Sequence, residues 1–213
     1  MALKPGGQIW ALGLFFLITA PFASTAQETE PAPVAEAAQP PQVSMVTDIA
    51  ADHEPSPAYP FGRANPSGPP QQTQFDFMLG ENDCQDQMLM RDGSWKHYKA
   101  IWNATYFLNG FGVQDRYWNG EFATSNIRLF DSQKGVWRVT FFRMPGYTTG
   151  TWEGGMVGDQ MVLTRETTDS SGTVAVSRLV FFNMGREGFQ WQAEIQTQNG
   201  TLVTWKSDCR KRR

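Results

Sequence analysis

Phe75-Asp76-Phe77-Met78-Leu79-Gly80-Glu81-Asn82-Asp83-Cys84 is the stretch from which the fold of this chain is read. Phe75, Phe77 and Leu79 form an apolar plug. Gly80 allows a turn, and Cys84 falls at the start of the first extended run. Upstream, the composition is that of an export signal followed by a tether. Downstream it is that of strands.

The upstream part has two regimes. Residues 1–26 have the layout of a secretory signal: Lys4, an apolar run from Ile9 to Ala23, then Ser24-Thr25-Ala26. That run is short for a bilayer span, so cleavage after Ala26 is expected, with an uncleaved anchor as the alternative. No cysteine follows the run, so lipidation of the bacterial kind is not expected. Residues 27–74 hold ten of the 13 prolines, six acids and one base, with Tyr59 and Phe61 as their only aromatics. Such a segment buries too little apolar surface to offset the entropy of ordering. It reads as a disordered, acidic, Pro-rich linker.

Residues 75–213 are long enough for one core. They carry 16 bases and 15 acids, so the overall charge of −3 resides mainly in the tether. That balance argues against nucleic acid as a partner. No further long apolar run exists, so no integral membrane span is expected. Pro145 is the only proline left, as uninterrupted strand ladders require.

Alternation of period two dominates after Cys84. Turn chemistry such as Asn109-Gly110, Asn119-Gly120, Asp131 to Gly135 and Asn199-Gly200 interrupts it at short intervals. Strands are predicted at 83–90, 95–108, 112–118, 122–130, 136–143, 149–157, 160–167, 173–183, 189–197 and 202–210. Helix is expected only just before Phe75 or as one turn at 75–79. Serial hairpins without a crossover helix make an antiparallel meander, and a meander of this length closes to remove its edges. The expected fold is therefore all-β: a closed antiparallel meander barrel of about eight to ten strands.

The same alternation sorts the faces. Tyr98, Ala100, Trp102, Ala104 and Tyr106 are placed inward. So are Phe189, Trp191, Ala193 and Ile195, and Val203, Trp205 and Cys209. Met161 and Leu163, with Val174, Val176, Val180 and Phe182, supply a thinner wall. Arg128 shares parity with Phe122, Asn126 and Phe130, against Ile127 and Leu129, and alternation leaves open which set faces in. The other strand arginines, Arg116, Arg138, Arg143 and Arg178, read mostly as outward. An inward arginine needs an acid or an anionic ligand, with Asp115, Glu153 and Glu166 as candidate acids. Cys84 and Cys209 lie on inward faces of the first and last strands, which adjoin in a closed barrel. In an exported chain they read as one disulfide, with two inert thiols as the alternative. Closing a loop of about 125 residues is worth at most about 4–5 kcal/mol.

Three segments taken together resemble a known family. They are the Phe75-Asp76-Phe77-x-Leu79-Gly80-Glu81 opening, the Phe130-Asp131-x-x-x-Gly135-x-Trp137 hairpin, and the Gly154-Gly155-x-x-x-Asp159-x-Met161-Val162-Leu163 hairpin. They are similar to those of a bacterial lipocalin-like family, domain of unknown function 1579. The resemblance implies a calycin-type barrel and no activity. The family usually has Trp where this chain has Asn82, so the barrel floor must be closed otherwise. A Cys84–Cys209 bridge lies at the right place, and Phe75, Phe77 and Leu79 supply apolar bulk. Haem-binding nitrobindins share the general architecture but use a histidine near the far end of the chain. Here the only histidine after residue 75 is His97, placed outward by parity, so no haem and no other cofactor is expected.

No Walker loop, dinucleotide fingerprint, HExxH or GxSxG occurs, and the cysteines lack metal or redox spacing. Catalytic and metal-ligating residues are therefore not assigned. Gly154-Gly155 reads as a bulge or close strand packing. The basic tail Arg210-Lys211-Arg212-Arg213 reads as a frayed, solvated end. The leading expectation is an exported module, periplasmic or secreted, holding a small hydrophobic or amphipathic molecule in the barrel. Its candidate wall is Tyr98, Trp102, Tyr106, Phe141, Trp191 and Trp205. Its candidate polar handle is Arg116, Asn126 and Arg128. The alternatives are an envelope interaction module held by the tether and an enzyme using the same cavity.

Overall fold

The computed structural model describes residues 51–168, 172–197 and 200–212. The expected signal at 1–26 and the linker up to residue 50 lie outside them. Ten strands follow one another: β1 (Gly80–Leu89), β2 (Trp95–Phe107), β3 (Gly112–Trp118), β4 (Ala123–Asp131), β5 (Val136–Met144), β6 (Thr148–Val157), β7 (Gln160–Thr168), β8 (Val174–Gly185), β9 (Gly188–Thr197) and β10 (Gly200–Lys211). Each pairs antiparallel with its neighbour in sequence, and β1 pairs with β10, so the sheet is a closed antiparallel meander barrel. Closure leaves no unpaired edge.

The seam is covalent. Cys84 and Cys209 face each other in register across β1 and β10 and form a disulfide. Both are fully buried, as their parity with the inward apolar residues requires.

One end of the barrel is shut by the stretch before β1. A single 3-10 turn at Asp76–Met78 drops Phe75 and Met78 into the interior, where both are fully buried. Phe75 stands edge-on to Trp137 at 4.8 Å and to Phe181 at 6.2 Å, and Phe77 packs on Phe189 at 5.2 Å. Burying a ring of that size stabilises by about 2–3 kcal/mol. Asn82 donates its amide to three carbonyls, those of Met78 and Trp102 at 2.9 Å and Gly80 at 3.3 Å. Opposite it in register stands Lys211, whose ammonium donates to the Leu79 carbonyl. Burial pulls the Lys211 ammonium down to about 8. An amide and an ammonium thus tie this floor to its own backbone.

Three expectations change. The unstructured linker does not extend to residue 74. Residues 51–74 pack on the β2–β3 connection: Phe61 accepts a hydrogen bond from the Tyr106 amide, and Asn65 donates to the Asn109 carbonyl. Gln74 accepts from the Trp137 indole at 2.9 Å. These contacts are backbone and amide bonds that composition does not reveal. The basic tail is not frayed as far as Arg212, since β10 runs through Lys211 and Arg212 pairs with Asp83 at 2.5 Å and Glu81 at 3.2 Å; Arg213 lies outside the described residues. In β8 the inward set is Ser177, Leu179 and Phe181, one residue out of step with the expected Val176, Val180 and Phe182. Val180 is buried too, paired in register with Val162, so apolar side chains occupy both faces and alternation loses its signal. Gly154 is explained by close packing: a Cβ there would lie 2.0 Å from the Val162 carbonyl oxygen.

Candidate functional site

Above the plugged floor the barrel encloses a cavity of about 330 Å³. It reaches the surface at Arg143 and Thr148, both exposed. Its wall is aromatic and nearly continuous. Trp102 stands edge-on to Tyr117 and Trp191 at 5.7 Å each, Trp191 lies 4.9 Å from Trp205, and Trp205 meets Phe122 at 5.5 Å. Phe141 and Trp152 face each other at 6.4 Å. All of these rings except Phe122, which lies just before β4, come from the inward parity of their strands.

The deepest polar group is an ion pair. Asp115 on β3 and Arg128 on β4 are 0% and 2% exposed. Arg128 donates Nε and Nη2 to Asp115 Oδ2 at 2.8 and 2.5 Å, and Asn126 donates to Oδ1 at 2.6 Å. The guanidinium lies 4.7 Å above the Phe75 ring, so the plug and the ion pair support each other. A buried pair of this kind contributes little net stability, but removing one partner costs about 3–5 kcal/mol. The question left open by alternation is settled: Arg128, Asn126 and Phe130 face in, with Asp115 as the acid.

Two further arginines border the cavity. Arg165 on β7 follows Met161 and Leu163 in parity. Its guanidinium lies 4.7 Å over Trp152 and 5.0 Å over Phe141. Burial lowers its pKa from the ordinary guanidinium value. Its Nε is buried and has no hydrogen-bond partner among the described residues. Arg143 follows Trp137, Val139 and Phe141 in parity and lies 4.2 Å over Phe122 at the mouth. Neither arginine has a carboxylate within ion-pairing distance among the described residues. Glu194, which borders the cavity, pairs with Arg178 at 3.2 Å, and Asp115 is taken by Arg128. Ring contacts offset part of the desolvation of the half-buried Arg165, by about 1 kcal/mol.

Behind the wall lies a second polar cluster. Asp86 accepts from Ser207 at 2.6 Å and from the Tyr117 hydroxyl, and is 1% exposed. Burial raises the Asp86 carboxyl above its ordinary value, against the pull of those two donors, and raises the Tyr117 hydroxyl as well. Of the three, only Tyr117 borders the cavity, and its hydroxyl is committed to Asp86.

Of the residues expected in the site, Trp102, Asn126, Arg128, Phe141, Trp191 and Trp205 line the cavity. Three do not. Tyr106 is inward but lies at the floor, donating to Asp76 and to the Gln72 carbonyl. Tyr98 sits at the rim, bonded to Glu121 at 3.1 Å beside Lys96. Arg116 points outward and is exposed, because its neighbours Asp115 and Tyr117 flank it with opposite and inward parity. The wall residues not foreseen include Arg143, Trp152, Arg165, Tyr117 and Phe181. Parity with Leu163 was a legible signal for Arg165, and parity with Phe141 for Arg143.

No helix among the described residues is long and apolar enough to cross a membrane. No group of His, Cys, Asp and Glu among them is arranged to hold a metal. No protein-family model and no curated protein matches the chain. Among solved structures, that of the S-type phycobiliprotein lyase CPES from Guillardia theta is similar, with a TM-score of 0.43 and 11% identity over 67% of this chain and 92% of that one.

Proposed function

We propose that this chain is a small-molecule binding module whose barrel takes up one small amphipathic molecule through the mouth at Arg143. The observation that carries the reading is the cavity itself: about 330 Å³ with an aromatic wall and a closed floor, at the lower end of the usual ligand-pocket range of roughly 300–1,000 Å³. The Asp115–Arg128 pair fixes the depth to which a ligand descends. The disulfide supports an oxidising compartment, and with the expected signal at 1–26 it supports export to the periplasm or beyond. The opening stretch and two hairpins described above support membership of the lipocalin-like family, domain of unknown function 1579.

The test is binding of an uncharged fluorescent aromatic, N-phenylnaphthylamine, followed through tryptophan quenching. Saturable binding to the intact protein is expected. Ala193→Trp, which fills the cavity, is expected to abolish it. Unchanged binding by the filled variant overturns the assignment to the barrel interior.

A further inference from the structure

Among the described residues, the unpaired buried polar atoms of the cavity wall are hydrogen-bond donors except for Glu194 Oε2, which lies 3.2 Å from the Arg178 guanidinium. Arg165 Nε, Arg128 Nη1, Trp102 Nε1 and Trp191 Nε1 are all buried on cavity-lining residues and have no partner among the described residues. The charges are one-sided as well. Asp115 neutralises Arg128 and Arg178 neutralises Glu194, so Arg165 and Arg143 remain as two uncompensated cations at mid-depth and mouth. Arg143 is exposed, but Arg165 is half-buried with its Nε enclosed, and a partly desolvated cation without an anion is costly, since rings alone do not replace the lost hydration. The chain also keeps room for this group. Gly150 lies across the wall from Arg165, and a Cβ there would stand 2.5 Å from Arg165 Nη1.

We infer that the ligand is an amphipathic anion, its carboxylate held by the Arg165 guanidinium with Arg143 closing over it, and its apolar body laid on Phe141, Trp152 and Trp191. A planar guanidinium offers two parallel donors that match a carboxylate, and the stacked rings hold its plane in place. Asp115 keeps Arg128 from competing for the anion, which sets the head group nearer the mouth than the floor. This deepens the binding reading above and rests on it.

A matched pair of probes separates the two. Anilinonaphthalene sulfonate and N-phenylnaphthylamine share one skeleton and differ by the sulfonate. On the intact, disulfide-bonded protein the anion is expected to bind about tenfold tighter or better, the difference one charge-assisted contact makes. Arg165→Met is expected to remove about that factor for the anion and leave the neutral probe within about twofold. Gly150→Ala, which displaces the guanidinium without removing its charge, is expected to weaken the anion in the same sense. Decanoate is expected to displace the sulfonate probe at concentrations where decan-1-ol does not. Equal binding of both probes, or equal loss of both in Arg165→Met with its near-ultraviolet dichroism retained, overturns the anion while leaving the cavity as a binding site. Binding of neither probe overturns both readings.

Discussion

The floor half and the mouth half of this barrel are built from the same strands with the same alternation, yet they treat charge in opposite ways. At the floor, Arg128 is 2% exposed and is answered by Asp115, with Asn126 on the second carboxylate oxygen. Asn82 donates to three carbonyls and Lys211 to a fourth. Nearer the mouth, Arg165 and Arg143 rest on aromatic rings with no acid opposite. The contrast separates charge that organises a fold from charge that awaits something. A buried cation with its anion in the chain is part of the architecture; the half-buried Arg165, with no carboxylate beside it, is where the proposed ligand would sit.

Four measurements sharpen or break that contrast. The largest effect is expected at the seam. The double variant Cys84→Ser, Cys209→Ser frees a loop closed across 125 residues and is expected to lose up to about 4–5 kcal/mol in urea unfolding. Near-equal midpoints for the two proteins would show that the hydrogen-bonded β1–β10 ladder alone holds the ends. Next is Asp115→Ala, expected to cost about 3–5 kcal/mol because Arg128 is left charged and buried. Adding Arg128→Met is expected to recover most of it. Arg165→Met in the same assay is expected to change stability by less than about 0.5 kcal/mol or to raise it. If Asp115→Ala and Arg165→Met cost the same, the distinction between the two halves fails.

A smaller effect tests the strap. Removing residues 1–69 deletes the Phe61–Tyr106, Asn65–Asn109 and Asn65–Gly110 bonds, and a loss of about 3 kcal/mol is expected at roughly 1 kcal/mol per bond. An unchanged midpoint would return that segment to the role of a loose tether. The smallest effect is a slope against pH. The Asp86 carboxyl is raised in the folded protein, so between its ordinary value and the raised one the fold holds a proton that the unfolded chain has released. Stability from this group is therefore full at the acid end of that window and declines as pH rises through it. Asp86→Asn is expected to remove this contribution, flattening the difference between acid and neutral unfolding midpoints. A variant with the parent's slope would assign the dependence to another group.

Much of the barrel was legible because its code is local. Ten runs of period-two alternation, with Asn, Asp and Gly between them, appear as ten strands whose ends differ from expectation by a few residues. The cysteines fell on inward parity at the first and last strands, and closure put them side by side. Legibility failed where local pattern and environment part. In β8, Val180 and Phe181 are both buried, so adjacent positions looked equally inward. Tyr106 was correctly placed inside but at the wrong height, since alternation reports the face of a sheet and not the depth along a barrel. Arg116 was offered as a polar handle although it was read with Arg143 as mostly outward; parity with Val139 and Phe141 turns Arg143 inward, and parity with Leu163 does the same for Arg165.

Taken alone, the sequence determined the class of fold and the order of the hairpins, and it placed the chain's two cysteines on inward faces of the first and last strands. These follow from nearest-neighbour chemistry: positive-φ turn residues, alternation on a pleated strand, and the absence of any helical run. Only the tertiary structure decided which arginine met an acid and which did not. Asp115 reaches Arg128 because β3 and β4 are in one register, while β7 brings Arg165 opposite rings and a glycine. Ion pairing is settled by distances across the barrel, over which sequence separation carries no information.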